Sequence, residues 1–192
     1  MRGIVREQQQ RVRMRHTLVA LVEDKPGVLT RMASLFRRRG FNIESIAVGQ
    51  SELPNLSRMT LVVNGSASIL EQVRKQLSKV VDVVKVADVT SDNITVRELA
   101  LIKVRATSST RSEIIEIADI FRANIVDVAT DSLTIEITGD EDKLDSMLNL
   151  LRGFGIREVA RTGRIAMLRG SPSKISAEER ETRSGQRNKS LN

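Results

Sequence analysis

The same order of hydrophobic periods runs twice along this chain, and it restricts the fold more than any other feature. The first copy opens with an apolar run, "HTLVALV" at 16–22, that reads as a strand. A helical period follows over 27–39, with Val28, Leu29, Met32, Leu35 and Phe36 on one side. Gly40 ends it, and Arg37, Arg38 and Arg39 fill the last turn, where cations suit the helix dipole. Strands are predicted at 42–49 and 58–64, joined through the turn-rich "QSELPNLS" at 50–57. A helix at 66–80 carries Ile69, Leu70, Val73 and Leu77 on one face, and 81–89 closes the copy as a strand. After "TSDN" at 90–93 the order recurs: strand 97–106, helix 110–122, strands 124–130 and 132–138, a helix capped by Asp140, and a strand at 156–162 with a continuation at 164–169.

Two β-α-β-β-α-β units predict an α+β fold of two tandem ferredoxin-like sandwiches, each an antiparallel sheet with two helices on one face. The expected divisions are a basic extension at 1–15, a first domain at 16–90, a linker at 91–96, a second domain at 97–169 and a polar tail at 170–192. Extension and tail are expected to be disordered. Each unit has only about 70 residues, a size that is marginal alone. Each sheet keeps one face without helices and has unpaired edges, so association into at least a homodimer is expected.

The net charge of +7 suggests a nucleic-acid partner until it is located. Residues 1–15 hold five Arg and one Glu, and 169–192 hold six Lys or Arg and three Glu. That leaves 20 basic and 20 acidic residues over 16–168, a neutral body. RNA-binding sheets of this class display aromatics, whereas the four Phe here fall on helix core faces or just before strands, and Tyr and Trp are absent. There is no Cys, hence no disulfide framework or thiolate chemistry. His16 is the sole histidine, so neither a transition-metal site nor a nucleophile–His–acid set is expected. No run reaches the length of a membrane span and no signal-peptide centre is present, which predicts a cytoplasmic protein without membrane contact.

One corner is suited to a ligand. "EDKPGVL" at 23–29 stands where the first strand hands over to the first helix. Pro26 fixes its φ and suits a first helical turn, Gly27 lets a ligand approach the backbone, and the first amides of a helix carry partial positive charge without internal acceptors. Together these make an anion site. Asp24 can cap the helix or accept from a ligand ammonium.

"DKPGVL", followed by a helix ending "RRRGFNIESI", resembles the ACT domain, a sensor module commonly tuned to amino acids. The ordered set "VEDKPGVLTRMASLFRRRGFNIESIAVG", "LSRMTLVV", "RELALIKV", "FRANIVDV" and "FGIREVARTGRIAMLRG" is similar to the regulatory (small) subunits of acetolactate synthase over about 16–170. The resemblance implies a non-catalytic subunit that dimerises through its ACT domain. It also implies that the chain activates a separate catalytic subunit and transmits feedback inhibition by a branched-chain amino acid, valine first. Thiamine diphosphate, Mg and FAD would belong to that catalytic partner, with no cofactor in this chain. By the same carry-over, the effector meets Asp24, Lys25, Pro26, Gly27 and Val28, with Thr30 in support and Leu29 and Ile43 on the apolar side. Asn42 is contributed by the neighbouring subunit. Some relatives have Asn where this chain has Asp24. The alternative is a stand-alone amino-acid sensor acting as a transcriptional regulator. "GDEDKLDSMLN" at 139–149 begins like a diphosphate-binding motif, but Glu141 replaces a required Gly and it reads as a helix start.

Overall fold

The computed structural model describes residues 15–170. The disorder expected of the N-terminal extension and the tail concerns residues that, apart from Arg15 and Gly170, lie outside that range. The first unit comprises β1 (Arg15–Glu23), α1 (Val28–Arg39), β2 (Ile43–Gln50), β3 (Leu56–Asn64), α2 (Ala67–Leu77) and β4 (Val83–Asp88). The second comprises β5 (Ile94–Arg105), α3 (Arg111–Ile120), β6 (Asn124–Val128), β7 (Ser132–Gly139), α4 (Glu141–Leu151), β8 (Ile156–Arg161) and β9 (Ile165–Leu168). The sheets run β2-β3-β1-β4 and β6-β7-β5-β8, and every pairing is antiparallel. These are the two ferredoxin-like sandwiches that the repeated period predicts.

Alternation along the strands decides what is buried. Leu18, Ala20 and Val22 of β1 and Met59, Leu61 and Val63 of β3 meet Met32, Leu35 and Phe36 of α1 and Leu70, Val73 and Leu77 of α2. In the second unit Ala100, Ile102 and Val104 and Leu133, Ile135 and Ile137 lie under Ile114 and Ala118 of α3 and Leu144, Met147 and Leu151 of α4. The helix ends follow their sequence signals. Gly40 takes φ 65° past α1, and the Phe41 amide returns to the Phe36 carbonyl at 3.1 Å. Asp140 accepts from the Lys143 amide at 2.9 Å to cap α4.

One expectation is corrected. The helix-free face of the first sheet is not left open. Val19 and Leu21 project from it and, with Leu56, Val89 and Ala166, form a third apolar cluster against Ile94, Val96 and Leu168. The cover is a two-stranded ribbon: Ile94–Arg97, the opening stretch of β5, pairs with β9 from Leu168 to Ile165. Burying an aliphatic side chain stabilises by roughly 1.5–3 kcal/mol, which favours the ribbon lying there. β5 therefore starts at Ile94, inside the stretch expected as a linker. Its apolar Ile94 and Val96 alternate with Thr95 and Arg97, and the apolar pair faces the first unit.

A polar seam fastens the two units beside the ribbon. The Arg164 amide donates to Ser45 Oγ at 3.0 Å, and its guanidinium donates to Glu141 Oε2 at 2.8 Å and to Thr17 Oγ1 at 3.4 Å. Arg15 Nη1 donates to Glu141 Oε1 at 2.6 Å, and Arg58 Nη2 to the Ala166 carbonyl at 3.2 Å. Gly163 has φ +79°, and a β-carbon there would stand 2.6 Å from Ser45 Oγ.

Candidate functional site

The corner at 24–27 is built by four separate segments. β1 ends at Glu23, whose amide donates to the Asp82 carbonyl at 2.9 Å, and the Asp24 amide donates to the Asn55 carbonyl at 2.8 Å. Asn55 itself takes φ 59°, the left-handed region that Asn tolerates better than most residues. The corner is thus tied to the β2–β3 turn and to the loop before β4. Its own bend is made by Gly27, the N-cap of α1, at φ 86° and ψ −8°. That conformation would cost a residue with a β-carbon about 1–2 kcal/mol.

Two sequence expectations change here. Asp24 does not cap α1: the cap is Gly27, and no side chain completes it. Three residues of turn separate the Asp24 carboxylate from Val28, so the capping geometry is not available to it. Pro26 precedes the helix by two residues rather than lying in its first turn.

The uncapped start leaves donors free. The first intrahelical bond runs from the Arg31 amide to the Gly27 carbonyl at 3.0 Å. The amides of Val28, Leu29 and Thr30 precede it and carry the positive end of the helix dipole. Val28 turns its side chain into the core, while Leu29 is 52% exposed beside the corner. Asp24, Lys25, Pro26, Gly27 and Thr30 are exposed as well.

Arg31, one turn into α1, is a site residue that sequence reasoning missed. Its Nη1 would lie 3.4 Å from a β-carbon on Gly27, so the guanidinium roofs the bend. Its Nε donates to Asp82 Oδ2. The Asp82 side chain is only 1% exposed. Lys25 Nζ stands 3.1 Å from Asp82 Oδ1, an ion pair without hydrogen-bond alignment, and also pairs with Glu23. The hydrogen bond from Arg31 holds the Asp82 carboxyl below its ordinary pKa against the opposing effect of desolvation, with help from Lys25. Lys25 is in turn raised, by Glu23 first and Asp82 second. Asp82 lies more than fifty residues from the corner in sequence, and no local pattern announces it.

The arrangement offers free amides and the outer Nη1 end of the Arg31 guanidinium to a carboxylate, Lys25 and the Arg31 Nε being engaged by Glu23 and Asp82. Asp24, whose carboxylate has no partner among the described residues, is open to an ammonium. A small zwitterion matches that pattern. Asn42 and Ile43 do not reach it within one chain. They lie beyond the far end of α1, whose twelve residues span about 18 Å. Asn42 is exposed and Ile43 packs partly against the first core.

Comparison with known proteins places both halves of the chain. The family described as "AHAS small subunit-like ACT domain" matches residues 18–85, and that described as "Small subunit of acetolactate synthase" matches residues 97–170. A probable acetolactate synthase small subunit of Archaeoglobus fulgidus is 55% identical over 158 residues, covering 82% of this chain and 99% of the relative. The acetolactate synthase small subunit of Mycolicibacterium smegmatis is 56% identical over 155 residues, 81% of this chain and 91% of the relative. The crystal structure of the acetolactate synthase small subunit from Thermotoga maritima superposes with a TM-score of 0.77 at 45% identity, covering 83% of this chain and 99% of that one.

Proposed function

Since the chain belongs to the family of acetolactate synthase small subunits, we propose that it is the regulatory subunit that binds and activates a catalytic acetolactate synthase subunit. In this reading it also passes on feedback inhibition by a branched-chain amino acid, valine foremost. The observation that carries the effector site is the uncapped start of α1: three free amides beside Gly27, under Arg31, with Asp24 unpaired alongside among the described residues.

The edge of the first sheet offers Asn42 a way into the site. Among the described residues β2 pairs only with β3, and its Ile46 and Val48 are 42% and 44% exposed. Glu23 is opposite Leu56 and Gln50 is opposite Ser57, so the corner and the end of β2 lie at the same end of the sheet. If β2 of a second copy pairs antiparallel with this edge, its starting end, with Asn42 and Ile43, comes to the end that holds the first copy's corner. The site is then complete only in a dimer: amides and Arg31 for the carboxylate, Asp24 for the ammonium, Asn42 of the other copy as a further polar partner, and Leu29 and Ile43 along the aliphatic side chain.

Regulation needs differential binding. The amino acid must favour one arrangement of the dimer, and the catalytic subunit another, or occupancy shifts nothing. A ligand that bridges two copies meets that condition directly, because its affinity depends on how the copies are set against each other. The test is acetolactate formation by the catalytic subunit with and without this chain, across titrations of valine, leucine and isoleucine. Stimulation by the chain and its reversal by at least one of the three support the reading. A catalytic rate that ignores the chain overturns it.

A further inference from the structure

Between α1 and the end of α2 runs a groove of about 470 Å3. Thr30, Ser34 and Arg38 succeed one another at four-residue spacing on its α1 wall, a run of about 12 Å along the helix. Lys79 and Val81 form the opposite lip. Val81 is 83% exposed, the most of any large hydrophobic side chain among the described residues. Arg31 lines the same groove.

The charge here is one-sided. α1 contains four arginines and no acid, and the stretch 67–82 adds Arg74, Lys75 and Lys79 against Glu71 and Asp82, the latter buried and engaged by Arg31 and Lys25. Glu71 is taken up by Arg74 and Lys75 on their own helix. Neither Arg38 nor Lys79 has an acidic partner among the described residues. Elsewhere, cations in structural roles are paired: Arg161 with Glu98 and Asp145, Arg164 with Glu141, Arg157 with Asp131. α3 and α4 of the second unit each carry three acids and one base, so the basic layer is particular to the first unit.

We propose that this groove is where the chain docks a carboxylate-bearing segment of its catalytic partner, with an aliphatic side chain of that segment set against Val81. The inference rests on the reading of the chain as a regulatory subunit and adds the surface by which it acts. Three features select a protein segment over other acidic ligands. The two cations left unpaired, Arg38 and Lys79, stand on opposite walls of the groove rather than gathered at a point, which suits a chain laid between them better than a compact ion. The rim carries an exposed aliphatic residue that a phosphate would leave wet. No aromatic side chain lines the groove to stack a base.

The location also supplies a route for regulation. Arg31 walls the groove and roofs Gly27, and Thr30 offers its amide to the corner and its side chain to the groove. An amino acid seated on the amides after Gly27 therefore touches the residue that shapes the docking surface, and partner affinity and effector affinity become linked through α1.

The test is the affinity of the full chain for its catalytic subunit, measured by calorimetry for the wild type, Arg38→Glu/Lys79→Glu, Val81→Ser and, as a distant charge control, Arg105→Glu. The double reversal is expected to raise Kd by about tenfold or more, and to flatten the salt dependence that the wild type shows between roughly 50 and 300 mM salt. Val81→Ser, at a side chain that supports no core, is expected to weaken binding severalfold with an unchanged melting temperature. Arg105→Glu is expected to change Kd less than about twofold. Wild-type affinity in the double variant and in Val81→Ser overturns the docking assignment and leaves the regulatory reading intact. The same holds if the reversals abolish only heparin or inorganic phosphate binding, or only a concentration-dependent self-association with the acidic α3–α4 layer of a second copy. A wild-type chain that forms no complex with the catalytic subunit overturns both.

Discussion

Gly163 offers a sharp test of the seam between the two units, because its substitution has two separable costs. The residue adopts φ +79°, which costs a residue with a β-carbon about 1–2 kcal/mol. An alanine β-carbon would also stand 2.6 Å from Ser45 Oγ, with the Ile46 carbonyl at 3.4 Å. The hydroxyl has to move, and it is the acceptor for the Arg164 amide at 3.0 Å, a bond contributing about 0.5–1.5 kcal/mol. Gly163→Ala is therefore expected to destabilise by about 1.5–3.5 kcal/mol. Gly40 isolates the backbone cost, since it has φ +65° and nothing within 4 Å of the place a β-carbon would take; Gly40→Ala should lose only the left-handed term of about 1–2 kcal/mol. Ser45→Ala removes the hydroxyl and about 1 kcal/mol with it. In Gly163→Ala/Ser45→Ala the clash is gone, so the two losses should fall short of additivity by about 1 kcal/mol. Urea unfolding of the four variants beside the wild type, at one chain concentration, reads all these terms, the fixed concentration keeping any contribution from self-association constant. Equal costs for Gly163→Ala and Gly40→Ala, with an additive double variant, would refute the seam as described.

Other outcomes follow from the corner and the core. Asp82 has a depressed pKa, so the stability it adds is complete above the ordinary carboxylate range and is lost as pH falls through its folded value. Asp82→Asn should thus unfold at lower urea than the wild type near neutrality, and the gap should hold down to about pH 4 and close below it; a gap that stays constant well below that pH counts against the Arg31–Asp82 pairing. Gly27→Asp forces a strained φ and brings a carboxylate to the Arg31 guanidinium, where it would occupy the anion site from within; inhibition of the reconstituted enzyme by valine should disappear while stimulation persists, and undiminished inhibition would contradict the site. Ile135→Ala, at a fully buried position of β7, should cost about 2–5 kcal/mol in the same unfolding assay, and a loss below about 1 kcal/mol would mean the second core is looser than described.

The order of elements is legible in the sequence because each strand and helix has its own period, and local periods survive without knowledge of partners. "SLTIEIT" alternates cleanly, and β7 does face a core on one side only. "TLVALV" does not alternate, and an uninterrupted apolar run is the mark of a strand buried on both faces. What buries the second face of β1 cannot be named from that run, because the ribbon comes from residues more than seventy positions away. The corner shows the same division. Gly27 and its bend are legible from the Pro-Gly pair. The partners that hold the bend, Asn55, Asp82 and Arg31, are joined by long-range packing or by a one-turn spacing shared with many unremarkable arginines. Asp is the commoner cap, which is why the local pattern points to Asp24; the left-handed glycine takes that place instead.

Whether the corner of one copy and the β2 edge of another together hold an aliphatic amino acid decides the proposed regulation. Calorimetric titration of the intact chain with valine, leucine and isoleucine, beside Gly27→Asp and Asn42→Ala, measures that directly. Saturable heat in the wild type, abolished in Gly27→Asp and weakened in Asn42→Ala, with one ligand for each corner at most, is the predicted result. Wild-type affinity retained in both variants, or no heat with any of the three amino acids, would contradict it.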